Sequence, residues 1–511
     1  MPDRVHWSWI VPLLLLAAAL SGSLLDVRAF NFDEASTLLR TGGHHSEPFN
    51  LEEIQQAILE KSPDQAFGWS FLIAVWGRVF GWSEVALRSL SWFAGLLALA
   101  WIWRSGRDMF GATAGLVATS LLATSLLFVT YMAIARTYTL VVLFALMAFH
   151  GYWRAALRAG GASRSARLML LTGAAGLLYT HYFGALLVLA LGLFHMVMVR
   201  PDRRWLQPLA PFLLAGLVFL PQLQFMLRGI AFNEAALGSD LAMAPHVALM
   251  RIVEVYSNDL VHLLPKIAAA LFVLAGLLTL RVAWQRRGAR RTPDATLLLV
   301  CVTLALTALI LIANEVTAVL LPERARYAFA LWPLFSLTLG LGFQHARQVN
   351  RATIPFETGL LALLLITGLV GNLHSGLRDR HIHHYSPAPI HLALRDLKPH
   401  WTSGDHLVVD RTLPYDMRTI WVYTYPFADS RTILETVESD GCDDACLTAT
   451  LQDLQQHENV WLLFANPGGD LQTRLQQALL SAGMSLCRSI DYRQRQALTL
   501  IHLARSETDC A

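Results

Sequence analysis

The chain has 511 residues, of which 55% are hydrophobic and only 15% charged, and its mean hydropathy is +0.44. That composition excludes a soluble globular protein of this length and points to an α-helical polytopic membrane protein. The net charge of +3 names no partner, because the distribution of charge matters more than its sum.

Residues 1–25 hold Arg4, an apolar run from Trp9 to Leu25 and the small residues Ser21, Gly22 and Ser23. A secretory signal has the same look, but many apolar runs follow, so an uncleaved first helix is expected. Just beyond it stands Asn31-Phe32-Asp33-Glu34-Ala35. An acid beside lipid headgroups can be partly desolvated and tuned for base chemistry. The pair equally suits a solvated loop start, or an N-cap ahead of a helical Ala35–Arg40 stretch. Residues 26–82 form a long first outer loop, and its aromatic-rich run Phe67–Phe80 is expected to lie in the interface as a helix.

Ten further spans are expected at roughly 84–103, 110–131, 138–153, 168–183, 184–199, 207–226, 265–284, 295–314, 325–344 and 354–373, each close to the ~20 residues that cross a bilayer. With the first helix they make about eleven. Arginines cluster in alternate loops, at 104 and 107, 154–167, 200–204, 286–291 and 347–351. With the N-terminus cytoplasmic this is the positive-inside pattern. It puts Asp33, the 227–264 loop and the tail outside, and an odd count puts the C-terminus there too.

The expected division is a transmembrane domain over 1–375 and a soluble, extracytoplasmic α/β domain over 376–511. Strands are expected at His406–Asp410, Thr419–Tyr425, Val460–Ala465 and Ala497–Leu503, and helices at Ile390–Leu397, Leu447–His457 and Leu471–Ala482. Asn466-Pro467-Gly468-Gly469 reads as a turn without the Lys-Ser/Thr of a phosphate loop. From residue 374 onward, twelve Lys/Arg face seventeen Asp/Glu, which argues against nucleic acid. Cys442, Cys446, Cys487 and Cys510 all lie in the tail, and an even count there suits disulfides, with zinc as the rival. The His374, His381, His383 and His384 group suits a solvated linker better than a metal site.

Polar residues gather at the outer ends of the expected spans: Tyr131, Arg136 and Tyr138; Tyr179, His181 and Tyr182; Glu315, Glu323, Arg324, Arg326 and Tyr327. Ionisable groups near membrane depth usually face a cavity or a partner. Arginines around one cavity would suit a lipid phosphate, which takes bidentate guanidinium bonds. Interfacial snorkelling explains any one of them alone.

Four segments carry a family resemblance over about residues 8–375. They are Phe32-Asp33-Glu34; Asp64 followed by the run from Trp76 through Phe80-Gly81-Trp82-Ser83-Glu84 to Arg88-Ser89; Tyr131 to Leu140 around Arg136; and Leu178-Tyr179-Thr180-His181-Tyr182-Phe183. Arg326-Tyr327 with Pro333 adds to them. In their order and spacing these stretches resemble the bacterial branch of the protein O-mannosyltransferase and aminoarabinose-transferase superfamily, membrane glycosyltransferases of the C fold. Two positions depart. Ala66-Phe67-Gly68-Trp69 stands where the family often has His-Pro-Pro-Leu, and Ala133-Ile134 replaces Gln-Glu before the arginine.

The resemblance implies inverting transfer of one sugar, a hexose or pentose, from a polyprenyl phosphate to an acceptor on the outer face of a bacterial inner membrane. Lipid A, polysaccharide and protein stay open as acceptor. It implies Asp33 as the base, with Glu34 as its alternative, as an acceptor-ordering group or as ligand to a divalent metal. Asp64 is a second acid. Arg136, Arg324 and Arg326 are implied for the phosphate, and Tyr138, His181, Tyr182 and Tyr327 for the donor. A transporter or lipid flippase would show two repeated halves with broken helices, and no such repeat is visible. A non-catalytic subunit of an envelope complex is the other alternative.

Overall fold

The computed structural model describes residues 7–510 apart from 46, 62, 64, 159–162, 202–204, 238–242, 257–293, 318–321, 350–353, 375–388, 411–416, 435–443, 466–469, 494–496 and 507–509. Asp64, the span expected at 265–284, Cys442, His381, His383, His384 and the turn at 466–469 lie outside the described residues. The chain divides into two compact units. One comprises Met1–Leu25 with Asn50–Ile382, the other Asp26–Phe49 with His383–Ala511. The stretch 26–49, including the acid pair, is thus built into the unit that contains the tail.

Among its described residues, the first unit has helices as its only regular elements. Its helices run Ile10–Gly22, Leu51–Lys61, Phe67–Phe80, Glu84–Met109, Ala112–Thr124, Leu126–Met132, Tyr138–Tyr152, Arg164–Thr180, Gly184–Met198, Leu209–Leu237, Pro245–Tyr256, Ala295–Thr317, Trp332–Val349 and Ile354–Leu373. By length and composition, Glu84–Met109, Tyr138–Leu157, Leu209–Ala231 and Ala295–Glu315 can each cross a membrane, and a bent pair supplies a fifth crossing if it counts as one. Val197 and Leu213 are 74% and 73% exposed. Side chains this apolar on an outer surface suit lipid, and helices satisfy their own backbone there. The chain is a multi-pass membrane protein. Gly173 brings two helices close, because a Cβ on it would run into the backbone of Ala148.

Two of the expected spans are interrupted. The run expected at 110–131 breaks at Ser125 and bends by 66°. Ser125 is extended, and its Oγ accepts from Phe128 N at 3.3 Å, so a new helix is capped there. Asn372 Nδ2 donates to the Thr124 carbonyl at 3.0 Å and takes up a bond that the break frees. The span expected at 325–344 begins as a 3₁₀ helix, Pro322–Leu331, and turns α-helical only at Trp332. Pro333 has no N–H to carry an α-helix back through residue 329, and it fits the first turn of a new one.

The second unit holds a five-stranded sheet: β1 (Asp405–Asp410), β2 (Arg431–Leu434), β3 (Asn459–Phe464), β4 (Ser485–Arg493) and β5 (Ala497–Ala504), in the order β2-β1-β3-β5-β4. β1 is parallel to β2 and β3, and β5 is antiparallel to β3 and β4. Side chains alternate between two cores. Leu407, Val409, Trp461 and Leu463 pack with Ile390, Leu394 and Ile420 on one face. Val408, Val460, Leu462 and Ile501 pack with Leu454, Leu475 and Leu479 on the other.

Residues 419–425, expected as a strand, are mostly helix, Met417–Thr424. A parallel neighbour cannot be reached by a hairpin, so the link from β1 to β2 must cross over, and this helix lies within that crossover. The two strands that were not expected, β2 and β4, are the sheet edges. Cys487 and Cys510 form a disulfide.

A buried carboxylate ties the sheet together. Asp405 accepts from Asn459 Nδ2 at 3.0 Å, from Trp461 Nε1 at 2.9 Å and from the Thr402 N–H at 3.2 Å. Asp405→Ala leaves two buried side-chain donors without a partner and is expected to cost at least about 2 kcal/mol. A lowered melting transition of this unit would register it; unchanged melting would show that the network carries no net stability.

Candidate active site

The helix carrying the acid pair, Phe32–Thr41, starts with a capping box. Asn31 Oδ1 accepts from the Glu34 N–H at 3.0 Å, and Glu34 Oε2 accepts from the Asn31 N–H at 3.0 Å. Reciprocal bonds of this kind satisfy two donors that a helix start leaves open. Both acids lie in the first turn, where negative charge complements the helix dipole. Their surroundings differ. Glu34 is buried with one oxygen in the cap, whereas Asp33 is half-buried. Of the two, Asp33 has the exposure that proton exchange with a bound molecule requires.

Residues from the tail hold this helix within the second unit. Arg418 Nη1 donates to Ser36 Oγ at 2.8 Å, and its guanidinium lies 4.4 Å from the Phe32 ring centroid. Such a cation over an aromatic face is attracted by the ring quadrupole. Tyr423 Oη accepts from the Phe30 N–H at 2.8 Å, and the two rings stack at 5.7 Å. Tyr425 Oη and His45 Nδ1 lie 2.6 Å apart. Sequence reasoning missed Arg418, Tyr423 and Tyr425, because the Thr419/Trp421/Tyr423/Tyr425 alternation mimics a strand.

The first unit gathers most of the remaining candidates around Tyr138. Arg326 Nε donates to Tyr138 Oη at 3.0 Å, and the Arg136 guanidinium lies 6.0 Å from the Tyr138 ring centroid. His181 stands 5.8 Å from Tyr138 and 4.9 Å from Tyr327, centroid to centroid. Arg136, Tyr138 and Arg326 are buried, and Tyr182 and Tyr327 are half-buried. Ser91 fixes the backbone at Arg136, with its Oγ donating to the Arg136 carbonyl at 2.9 Å. Thr137 Oγ1 donates to the Thr180 carbonyl at 3.0 Å and joins the two motif segments. Gln65 also belongs here: its Oε1 accepts from Arg136 Nη2 and its carbonyl from Tyr182 Oη, each at 3.3 Å. Its place beside Asp64 was the only signal for it in the sequence. Asp64 lies outside the described residues, as does the side chain of Arg324.

The second motif stretch turns out to be a brace. Ser83 caps the Glu84–Met109 helix through the Ala86 N–H at 3.3 Å. Trp76 Nε1 donates to the Ala86 carbonyl at 2.8 Å, and Arg88 Nη1 to the Leu25 carbonyl at 2.9 Å. Gly68, within the departure from the family pattern, lies against the Tyr179 carbonyl where any Cβ would collide. As for a metal, Glu34 has an oxygen engaged in the cap, and Ile134 stands where the resembling motif carries Glu, so these two positions do not supply a carboxylate pair.

The family model for dolichyl-phosphate-mannose-protein mannosyltransferase matches residues 64–225. No curated protein matches the chain in sequence. Among solved structures, ArnT from Cupriavidus metallidurans bound to undecaprenyl phosphate is similar in fold, with a TM-score of 0.55 and 13% identity over 99% of this chain and 100% of that one. Its apo state aligns with the same TM-score over 99% of both chains. The oligosaccharyltransferase AglB from Archaeoglobus fulgidus, in complex with an inhibitory peptide and a dolichol-phosphate, gives a TM-score of 0.44 at 12% identity, over 99% of this chain and 75% of that one.

The capping box predicts a difference between two substitutions. Asn31→Ala should destabilise the helix start by roughly 0.5–2 kcal/mol. Glu34→Gln keeps an acceptor oxygen for the Asn31 N–H and should leave it intact. Amide hydrogen exchange over residues 32–37 reads both, and equal loss of protection in the two variants would contradict the assignment.

Proposed function

We propose that this chain is a C-fold membrane glycosyltransferase that transfers one sugar with inversion from a polyprenyl-phosphate donor to an acceptor in the cell envelope. The observation that carries the proposal is the pair of buried guanidiniums, Arg136 and Arg326, gathered around Tyr138. A phosphate accepts from guanidinium in a fork geometry, so two guanidiniums beside one tyrosine suit it. Fold similarity to a protein bound to undecaprenyl phosphate supports a lipid-linked phosphate as that anion.

The chemistry divides between two tasks. The acceptor hydroxyl loses its proton as its oxygen attacks the anomeric carbon, and Asp33 takes that proton. The bond from the anomeric carbon to the phosphate oxygen breaks on the opposite side, and the polyprenyl phosphate leaves with the electron pair. Arg136 and Arg326, with Arg324 as a third candidate, stabilise its growing charge without having to reorganise. Tyr138, His181, Tyr182 and Tyr327 offer ring faces and polar edges to the donor, and Asp64 is a second acid for the acceptor. Glu34 fixes the start of the helix that carries Asp33. In this proposal the chain crosses the inner membrane eleven times, and the 376–511 domain and the long first loop lie on the outer side. The acceptor is lipid A, a polysaccharide or a protein.

Asp33→Asn keeps the shape of the side chain but cannot take a proton. Turnover should fall by roughly 10²–10⁴-fold while binding of undecaprenyl phosphate stays near wild type. Full turnover in Asp33→Asn would remove the base assignment, and equal loss of binding and turnover would make Asp33 a structural residue. Arg136→Ala and Arg326→Ala should each weaken undecaprenyl phosphate binding by roughly 1.5–3 kcal/mol, the range for hydrogen bonds to charged groups. Unchanged affinity in both would rule out the phosphate site.

A further inference from the structure

A second group of chemically capable side chains lies in the unit that contains the sheet. His406 is on β1 and points to the same face as Val408, towards Leu454 and Leu462. Asp453 is on the last turn of the Asp444–Leu454 helix, and His457 lies in the tight turn that leads into β3. Ligand atoms of the three residues all lie within 4.8 Å of one another. His406 Nε2 is 3.9 Å from Asp453 Oδ2 and 2.8 Å from Thr432 Oγ1, and the two imidazole rings lie 4.4 Å apart.

We propose that His406, Asp453 and His457 bind a zinc-type divalent transition-metal ion. Two imidazoles and a carboxylate are a donor set that such ions accept, with Zn–N and Zn–O bonds near 2.0–2.2 Å. Tetrahedral geometry at those lengths puts ligand atoms about 3.4 Å apart, so the three must close by an ångström or so. The freedom to do so is present. The Asp453 side chain is 54% exposed and His457 is half-buried, whereas His406 is held at 8% exposure by the sheet. One rigid ligand and two adjustable ones can meet around an ion. Nε2 of His406 is the nitrogen that faces Asp453, and ligation there replaces its hydrogen bond to Thr432 Oγ1.

The fourth position would be filled by water. The ion would tie the end of the Asp444–Leu454 helix and the β3 turn to β1. The sequence signal was Asp453 and His457 four residues apart; His406, remote in the chain, gave no cue to join them.

The test uses the full-length chain without a histidine tag, stripped by chelator and dialysed against zinc chloride. Wild-type protein should retain one zinc per chain. Asp453→Asn and His457→Asn, at exposed and half-buried positions that tolerate substitution, should weaken the affinity by at least the roughly 10–100-fold that losing even an outer partner costs. His400→Asn, at an exposed histidine elsewhere in the unit, should change nothing. Zinc retention that is absent in wild type, unaltered in both site variants or equally reduced by His400→Asn would overturn the proposal.

Discussion

The candidate base is held by contacts that span nearly four hundred residues of sequence. The Phe32–Thr41 helix is short, and helices of this length are marginal on their own in water. Its capping box supplies one source of stability, and the Met417–Thr424 helix supplies the other through Arg418, Tyr423 and the neighbouring Tyr425. Chain from the end of the sequence thus forms the wall against which the acid pair is built.

The first unit faces the opposite problem, since it buries cations. Taking a guanidinium out of water costs several kcal/mol unless polar partners replace the hydration. Tyr138 and Gln65 provide some of that replacement for Arg326 and Arg136. Ser91 and Thr137 hold the backbone around Arg136 so that its position does not depend on the flexible side chain alone. A preorganised positive site is worth most where charge develops on a leaving group, because nothing has to move at that moment.

Much of this was legible in the sequence, for physical reasons that can be named. Apolar runs such as 138–153 and 295–314 mark helices because lipid leaves the backbone no other way to satisfy itself. Tyr138 and Arg136 were legible because polar residues at the ends of such runs are expensive. The 66° bend at Ser125 was not, since it contains neither Pro nor Gly and depends on Asn372 far along the chain. β4 was missed because an edge strand alternates less sharply than a buried one, and Arg488 and Asp491 sit within it. Residues 419–425 misled because β-branched and aromatic residues suit a strand locally, while the parallel pairing of β1 with β2 demands a crossover. Gln65 and Arg418 could not be found by spacing at all; they matter only through partners brought near by the fold.

Single displacement by a base and a leaving phosphate has one stereochemical outcome. The purified chain, incubated with a polyprenyl-phosphate sugar and an envelope acceptor extract, should yield a product whose anomeric configuration is opposite to that of the donor, read by NMR coupling at the anomeric carbon. Retention would demand a covalent glycosyl intermediate and would contradict Asp33 as a base, and absence of any transferred sugar would contradict the proposed reaction itself.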